Sequence, residues 1–299
     1  MKSGFAALIG RPNVGKSTLM NHLIGQKIAI TSEKAQTTRS QIRTVYTDER
    51  GQIVFEDTPG LTRAKNKLGR FMVDVAEKTI ADADVILWIV EAGAYLGASE
   101  QEILERLRKV NKPLVLVVNK VDKVQDKKAL AQSIEAYEKA VRPSDLIAVS
   151  ALKHQNMEIL LETLFRYLPE GPLFYDEDTV TEEPMRDIAA ELIREQALRL
   201  LRDEVPHGIA VTVERMHERE DGTFDIDAEI ICERESHKGM VIGKGGQMLK
   251  RIGTGARIAI EEMCEAKVNL KLWVKVRRDW RDDETQLKSF GYDTRKLRS

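Results

Sequence analysis

Cysteine, aromatic side chains and long apolar runs are all scarce in this chain. Of its 299 residues two are cysteines, Cys232 and Cys264, and Phe, Trp and Tyr together make up 5%. Two thiols far apart and in no metal-type spacing exclude a disulfide framework and a thiolate zinc site, and read as reduced, buried, cytosolic thiols. The five histidines are scattered and form no ligand pattern. An excess of one charge is also missing: 47 basic against 48 acidic residues leave a formal net charge of -1. Any contact with nucleic acid therefore has to come from a local basic patch. The longest later apolar run, Val85 to Val90, falls far short of the roughly 20 residues that span a bilayer. Lys2 followed by Phe5 to Ile9 is too short for a signal-peptide core, and Arg11-Pro12 ends it. With 42% hydrophobic and 32% charged residues, the chain reads as a soluble globular protein with room for two domains.

The first half alternates short apolar runs with amphipathic stretches. Phe5 to Ile9, Ile53 to Phe55, Val85 to Val90, Leu114 to Val118 and Ile147 to Val149 read as strands buried on both faces. Such strands suit a parallel sheet covered by helices on both sides, an α/β doubly wound fold. Leu19, Leu23 and Ile24, then Ile103, Leu104 and Leu107, recur at helical spacing. Pro169-Glu170-Gly171-Pro172 breaks the pattern, and the acidic stretch Asp176 to Glu183 lacks a core. The expected layout is a first domain over 1–170, a linker over 171–182, a second domain over 183–280 and a tail over 281–299. In the second domain Pro184 opens a helix, and Ile209 to Val213 and Phe224 to Ile230 alternate as strands around an Asp221-Gly222 turn. A helix, a glycine loop, a second helix and a strand over 268–276 follow, so this domain is α+β.

Two glycine loops carry the chemistry. Gly10-Arg11-Pro12-Asn13-Val14-Gly15-Lys16-Ser17, with Thr18 behind it, sits between a strand and a helix. There the glycines let backbone N–H groups turn on a β-phosphate, and the helix N-terminus adds its positive end. Lys16 is a point charge for the β- and γ-phosphates and Ser17 a hydroxyl ligand for Mg2+. That loop alone leaves ATP and GTP open. Asp57-Thr58-Pro59-Gly60 places a carboxylate for Mg2+ and an amide for the γ-phosphate. Asn119-Lys120-Val121-Asp122 offers a carboxylate to the paired N–H donors of guanine, which adenine lacks. Ser150-Ala151 can place a backbone N–H on the guanine oxygen. These elements, in this order and at strand ends, point to guanine. The second loop, Val241-Ile242-Gly243-Lys244-Gly245-Gly246, lies between two helical segments. Small residues allow close approach of a nucleic-acid backbone, Lys244 can pair with phosphate, and Lys238, Lys250 and Arg251 widen the basic patch.

On these motifs the chain resembles the Era family within the Ras-like, translation-factor class of GTPases. The order α-β-β-α-α-β around the second loop resembles a type II KH domain, a single-stranded RNA clamp. The resemblance spans nearly the whole chain, including Leu272-Trp273-Val274-Lys275-Val276 and Gly291-Tyr292 of the tail. It implies a P-loop G domain followed by a KH domain. It also implies a GTPase that binds the 3′ region of 16S ribosomal RNA and assists 30S subunit assembly. A monomer is expected in the cytoplasm, with peripheral contact at the inner membrane face. Gln36-Thr37-Thr38-Arg39 matches the family's first switch, which implies Thr38 as an Mg2+ ligand ordered by GTP. Asn13 resembles the asparagine that binds K+ in related GTPases. The implied catalytic set is Lys16, Thr38, Asp57, Gly60 and Asn13.

Leu61 follows Gly60, where Ras-like enzymes carry a water-orienting glutamine. An apolar side chain cannot do that, so a slow intrinsic rate is expected although Leu61 lies in the nucleotide-contacting stretch. Ser40 stands where family members often have histidine, and the second switch, Thr62 to Lys67, is rich in lysine. Trp273 and Trp280 read as packing residues. Two rivals stay open: a GTPase of another ribosome-assembly or tRNA-modification branch, and a non-catalytic RNA-binding module that only senses guanine nucleotide.

Overall fold

The computed structural model describes the chain except for Glu33, Ala35, Thr62 and residues 294–299. The Thr62 end of the second switch and the last residues of the tail lie outside the described residues. Two compact units emerge. One comprises Met1–Ala29, Thr38–Ala64 and Met72–Glu182, the other Ile30–Thr37, Lys65–Phe71 and residues from Glu183 onward.

The first unit is a six-stranded sheet with helices α1 (Lys16–Ile24), α2 (Lys67–Asp82, in this unit from Met72 on), α3 (Ala98–Leu107), α4 (Lys127–Val141) and α5 (Met157–Tyr167). Its strands are β1 (Lys2–Ile9), β2 (Ile42–Asp48), β3 (Gly51–Asp57), β4 (Val85–Glu91), β5 (Leu114–Asn119) and β6 (Asp145–Ala148), in the order β2-β3-β1-β4-β5-β6. All neighbours are parallel except β2, which runs antiparallel to β3. The central strands read in sequence as unbroken apolar runs because both of their faces are buried. Edge strand β2 was not expected. Its Arg43, Thr44, Tyr46, Thr47 and Asp48 dilute the apolar signal, and a tight reversal at Glu49-Arg50 suffices to join antiparallel neighbours. The Asp48 carboxylate accepts from the Arg50 N–H at 2.8 Å inside that reversal.

Residues 171–182 contribute no core, yet they are anchored to this unit. Buried Gln52 accepts from the Phe174 and Tyr175 amides at 2.8 and 3.0 Å and donates to the Tyr175 carbonyl at 3.0 Å. Val45 N–H donates to the Val180 carbonyl at 2.8 Å, so the acidic stretch covers the free side of β2.

The second unit contains α6 (Met185–Leu200), β7 (Ala210–Glu218), β8 (Phe224–Cys232), α7 (Glu235–Ile242), α8 (Gln247–Cys264), β9 (Val268–Val276) and the short α9 (Glu284–Ser289). Its sheet order is β7-β8-β9, with β7 antiparallel and β9 parallel to β8. The predicted order of helices and strands is the observed one. Trp280 is fully buried and donates from its indole nitrogen to the Gly208 carbonyl at 3.0 Å. Trp273, on the outward face of β9, is 47% exposed and is not a packing residue. Cys232 is buried and Cys264 only partly so, which corrects the expectation of two buried thiols.

Candidate functional site

The phosphate loop fills the gap between the end of β1 and the start of α1. Gly15 sits at φ +100°, and a Cβ there would fall 2.4 Å from the Asn119 side-chain nitrogen, so no other residue fits. The Lys16 ammonium is buried and donates to the loop carbonyls of Gly10 and Arg11, each at 3.3 Å. Burial lowers its pKa and the neighbouring Asp57 charge works against that. An anionic phosphate in the loop answers the same need for a counter-charge. The Arg11 guanidinium pairs with Glu100 at 3.0 Å and Glu91 at 3.7 Å, so this residue serves the loop through its backbone.

Three hard oxygens meet beside Lys16. Ser17 Oγ donates to Asp57 Oδ2 at 2.5 Å, Thr38 Oγ1 reaches the same oxygen at 3.3 Å, and the two hydroxyls are 3.2 Å apart. The other Asp57 oxygen is buried with no hydrogen-bond partner among the described residues. Burial raises the Asp57 pKa, with Lys16 the main opposing influence. Two hydroxyls and one carboxylate suit Mg2+, which takes oxygen ligands, keeps several waters and needs few carboxylates. Thr58 Oγ1 donates to the Leu8 carbonyl at 2.8 Å and ties this strand end to β1.

The base end of the pocket is built on Asn119 at the close of β5. Its side chain donates to the Val14 carbonyl at 2.9 Å and accepts from the Lys120 and Ala151 amides at 2.8 and 3.0 Å. One side chain thus joins the phosphate loop to both base-reading segments. Lys120, in the left-handed region at φ +66°, donates to the Asn13 carbonyl at 2.6 Å and pairs with Glu91 at 3.2 Å. The Asp122 carboxylate is exposed, with one oxygen accepting from Ser150 Oγ at 2.5 Å. That hydroxyl orients the carboxylate for paired donors on a base. The Ser150 amide donates to the Gln155 carbonyl at 3.3 Å and the Ala151 amide to Asn119 Oδ1 at 3.0 Å, so this segment is fixed against the end of β5.

In the second unit α7 ends at Gly243, at φ +72°, where a Cβ would lie 2.7 Å from that of Met248. Gly245 and Gly246 also have positive φ, but space beside them is open. The backbone there is bare, as a phosphodiester approach requires. Lys244, Lys250 and Arg251 are exposed and Lys238 half-buried around the loop, with Ile242 half-buried beside it. Val241 is fully buried and supports the loop from inside, contrary to its expected place in the contact surface. Met240, 55% exposed next to the loop, was missed; an apolar residue between Gly239 and Val241 gives no periodic signal.

Comparison with known proteins agrees with this geometry. A family model described as 50S ribosome-binding GTPase matches residues 5–120, and one described as KH domain matches residues 204–281. GTPase Era of Ruminiclostridium cellulolyticum is 49% identical over 99% of both chains. The same enzyme of Thermoanaerobacter is 47% identical over 97% of this chain and 96% of its own. The chain belongs to the GTPase Era family. A solved Aquifex aeolicus Era variant bound to GDP and AlF4- superposes with a TM-score of 0.94 at 40% identity, covering 98% of this chain and 99% of that one. A structure of Era in complex with MgGDPNP and nucleotides 1506-1542 of 16S ribosomal RNA matches equally, with TM-score 0.94, 40% identity and the same coverage.

For an Era-family chain one more residue needs relocating. Leu61 is 4% exposed and lies in the core cluster with Ile9, Ala76 and Trp88, so its side chain neither touches nucleotide nor orients water. Glu91 was missed, although it pairs with both Arg11 and Lys120. Its position at the carboxyl end of a buried strand, where α/β folds gather ligand contacts, was the available signal.

Proposed function

We propose that this chain is a Mg2+-dependent guanine-nucleotide switch whose KH domain binds the 3′ end of 16S ribosomal RNA during 30S assembly. As a member of the GTPase Era family it hydrolyses GTP to GDP and phosphate. The observation that carries the reading is the run of contacts that links the phosphate loop and the Ser17, Thr38 and Asp57 oxygens, through the Asn119 side chain, to Ala151, and the Ser150 hydroxyl to Asp122. Lys16 and the loop amides bind the phosphates, and Gly60 N–H meets the γ-phosphate. Ser17, Thr38 and Asp57 hold Mg2+, which supplies counter-charge to the phosphates when bound. Asp122 selects guanine.

With Leu61 in the core, no side chain of that position aims the attacking water, and a slow intrinsic rate follows. Asn13, exposed at the tip of the phosphate loop at φ +67°, holds K+ in this proposal and so adds positive charge beside the phosphates. Equal hydrolysis rates in sodium and potassium buffers would reject that role. The RNA partner follows from the Era structure in complex with nucleotides 1506-1542 of 16S ribosomal RNA, supported by the bare, basic loop at Gly243–Gly246. The working state is a cytoplasmic monomer that also touches the membrane's inner face. No helix among the described residues is long and apolar enough to cross it, and co-sedimentation with anionic vesicles tests the contact.

Multiple-turnover phosphate release is the main test. A 16S 3′-end oligonucleotide should accelerate it in the wild type. The Lys244→Glu, Lys250→Glu double variant should lose RNA binding while keeping its affinity for GTP. RNA affinity unchanged in that variant would remove the KH loop from the reading, and absent turnover in all conditions would favour a nucleotide sensor over an enzyme.

A further inference from the structure

Four charges of alternating sign bracket the phosphate loop. Glu100, in the first turn of α3 and 3% exposed, pairs with the Arg11 guanidinium at 3.0 Å. Arg11 also reaches Glu91, at the end of β4, at 3.7 Å, and Glu91 in turn takes the Lys120 ammonium at 3.2 Å. Lys120 returns to the loop by donating to the Asn13 carbonyl at 2.6 Å. The row Glu100-Arg11-Glu91-Lys120 thus leaves the loop at Arg11 and re-enters it at Asn13, spanning Pro12. All of it lies in the unit around the six-stranded sheet. The main chain keeps Glu91 beside Lys120, since the Ala92 N–H donates to the Asn119 carbonyl at 2.8 Å.

Two features of the loop need such a hold. Asn13 and Lys120 both sit in the left-handed region, at φ +67° and +66°, where a residue with a side chain persists only if its surroundings fix it. The buried Lys16 ammonium also rests on the Gly10 and Arg11 carbonyls. Residue 11 therefore carries Glu100 and Glu91 on its side chain and Lys16 on its carbonyl. A buried carboxylate is costly, and a well-packed apolar side chain at position 100 would usually serve stability as well. The partner of Glu100 is instead a residue of the loop whose amides have to be in place for a phosphate. We propose that Glu91 and Glu100 are positioning residues for phosphate binding. Through Arg11 and Lys120 they fix the Arg11-Pro12-Asn13 backbone in its binding shape before the ligand arrives, so that little ordering remains to oppose association. This role rests on the phosphate loop being the guanine-nucleotide site.

The test measures the affinity of the full chain, with Mg2+, for GDP and for guanosine, which lacks phosphates. Glu91→Gln and Glu100→Gln keep the shape of each side chain and remove its charge. Each should weaken GDP binding about tenfold, the worth of one hydrogen bond to a charged group, and leave guanosine binding unchanged. Arg11→Lys keeps the charge, but an ammonium lacks the fork that spans two carboxylates, so part of the GDP affinity should be lost. In an Arg11→Met background Glu100→Gln should add nothing, because the pair is already broken. GDP affinity unchanged in both carboxamide variants, equal losses for GDP and guanosine, or full additivity of Glu100→Gln with Arg11→Met would overturn the proposal. A wild type that binds GDP no tighter than guanosine would overturn the phosphate-loop reading and the positioning role together. A wild type that prefers GDP, with variants that prefer it as strongly, would overturn the positioning role alone. If thermal unfolding shows that Glu100→Gln does not fold, Glu91→Gln and Arg11→Lys, at partly exposed side chains, carry the same comparison.

Discussion

At the scale of single residues, the first unit separates groups whose role is local from groups whose role depends on distant partners. Asp122 belongs to the first kind. Its carboxylate is exposed and is steadied by Ser150, so Asp122→Asn should leave the unfolding temperature nearly unchanged. Guanine-nucleotide affinity should fall roughly a hundredfold, because hydrogen bonds to a charged acceptor are each worth about 1.5–3 kcal/mol. Titration calorimetry with GDP reads this directly. His22 belongs to the second kind. Its ring stacks on His154 with centroids 4.1 Å apart, and its pKa is lowered by burial and then by the His154 charge. A histidine whose folded pKa lies below its unfolded value of about 6.5 leaves stability intact above that pH. As pH falls from there toward the folded value, the unfolded chain takes up the proton first and stability is lost. Thermal unfolding followed from pH 8 to pH 5 should show the decline (roughly across the ordinary histidine range), and His154→Gln should lessen it while the larger part, due to burial, stays.

At the scale of elements, the turn between α7 and α8 separates two uses of glycine. Gly243→Ala meets both a left-handed backbone and the Met248 side chain, so a cost on the order of 1–3 kcal/mol and a displaced loop are expected. Gly245→Ala has the same sign of φ but open surroundings, and should cost about 1 kcal/mol. RNA affinity measured beside stability distinguishes them: Gly243→Ala should lose both, whereas Gly245→Ala should mainly impede the RNA backbone. Elements also differed in how legible they were. Strands β1, β4 and β5 announce themselves as apolar runs because both faces are covered. Strand β2 did not, since an edge strand half clothed by residues 171–182 needs little apolar surface. The glycine loops were legible because their requirements, positive φ and bare backbone, are met within a few consecutive residues.

At the scale of the whole molecule, the two compact units do not follow the linear division of the chain, since residues 30–37 and 65–71 group with the C-terminal fold. Each unit carries its own ligand site, so each should respond to its own ligand. Guanine nucleotide at a hundred times its Kd adds about 2.7 kcal/mol to the fold that binds it. Scanning calorimetry should show GDP raising the unfolding of the unit around the six-stranded sheet. A 16S 3′-end oligonucleotide should raise that of the unit around the three-stranded sheet. A scan in which GDP moves no transition would contradict the pocket described here.

The amino-acid sequence by itself determined the chemistry that is local along the chain. The phosphate loop, the Asp57 strand end, the Asn119–Asp122 segment and the Gly243–Gly246 turn each carry their reason in neighbouring residues. Tertiary structure alone decided the fates of side chains whose partners are remote. Arg11 turns to Glu91 and Glu100, Leu61 enters the core, the Ala151 amide is taken by Asn119, and Val241 supports its loop from within. Arg194 and Glu195 are the extreme case. In sequence they are two charges on a helix, and only the fold buries both and sets them against Thr31 and Thr37, because a buried charge must find its partners in space.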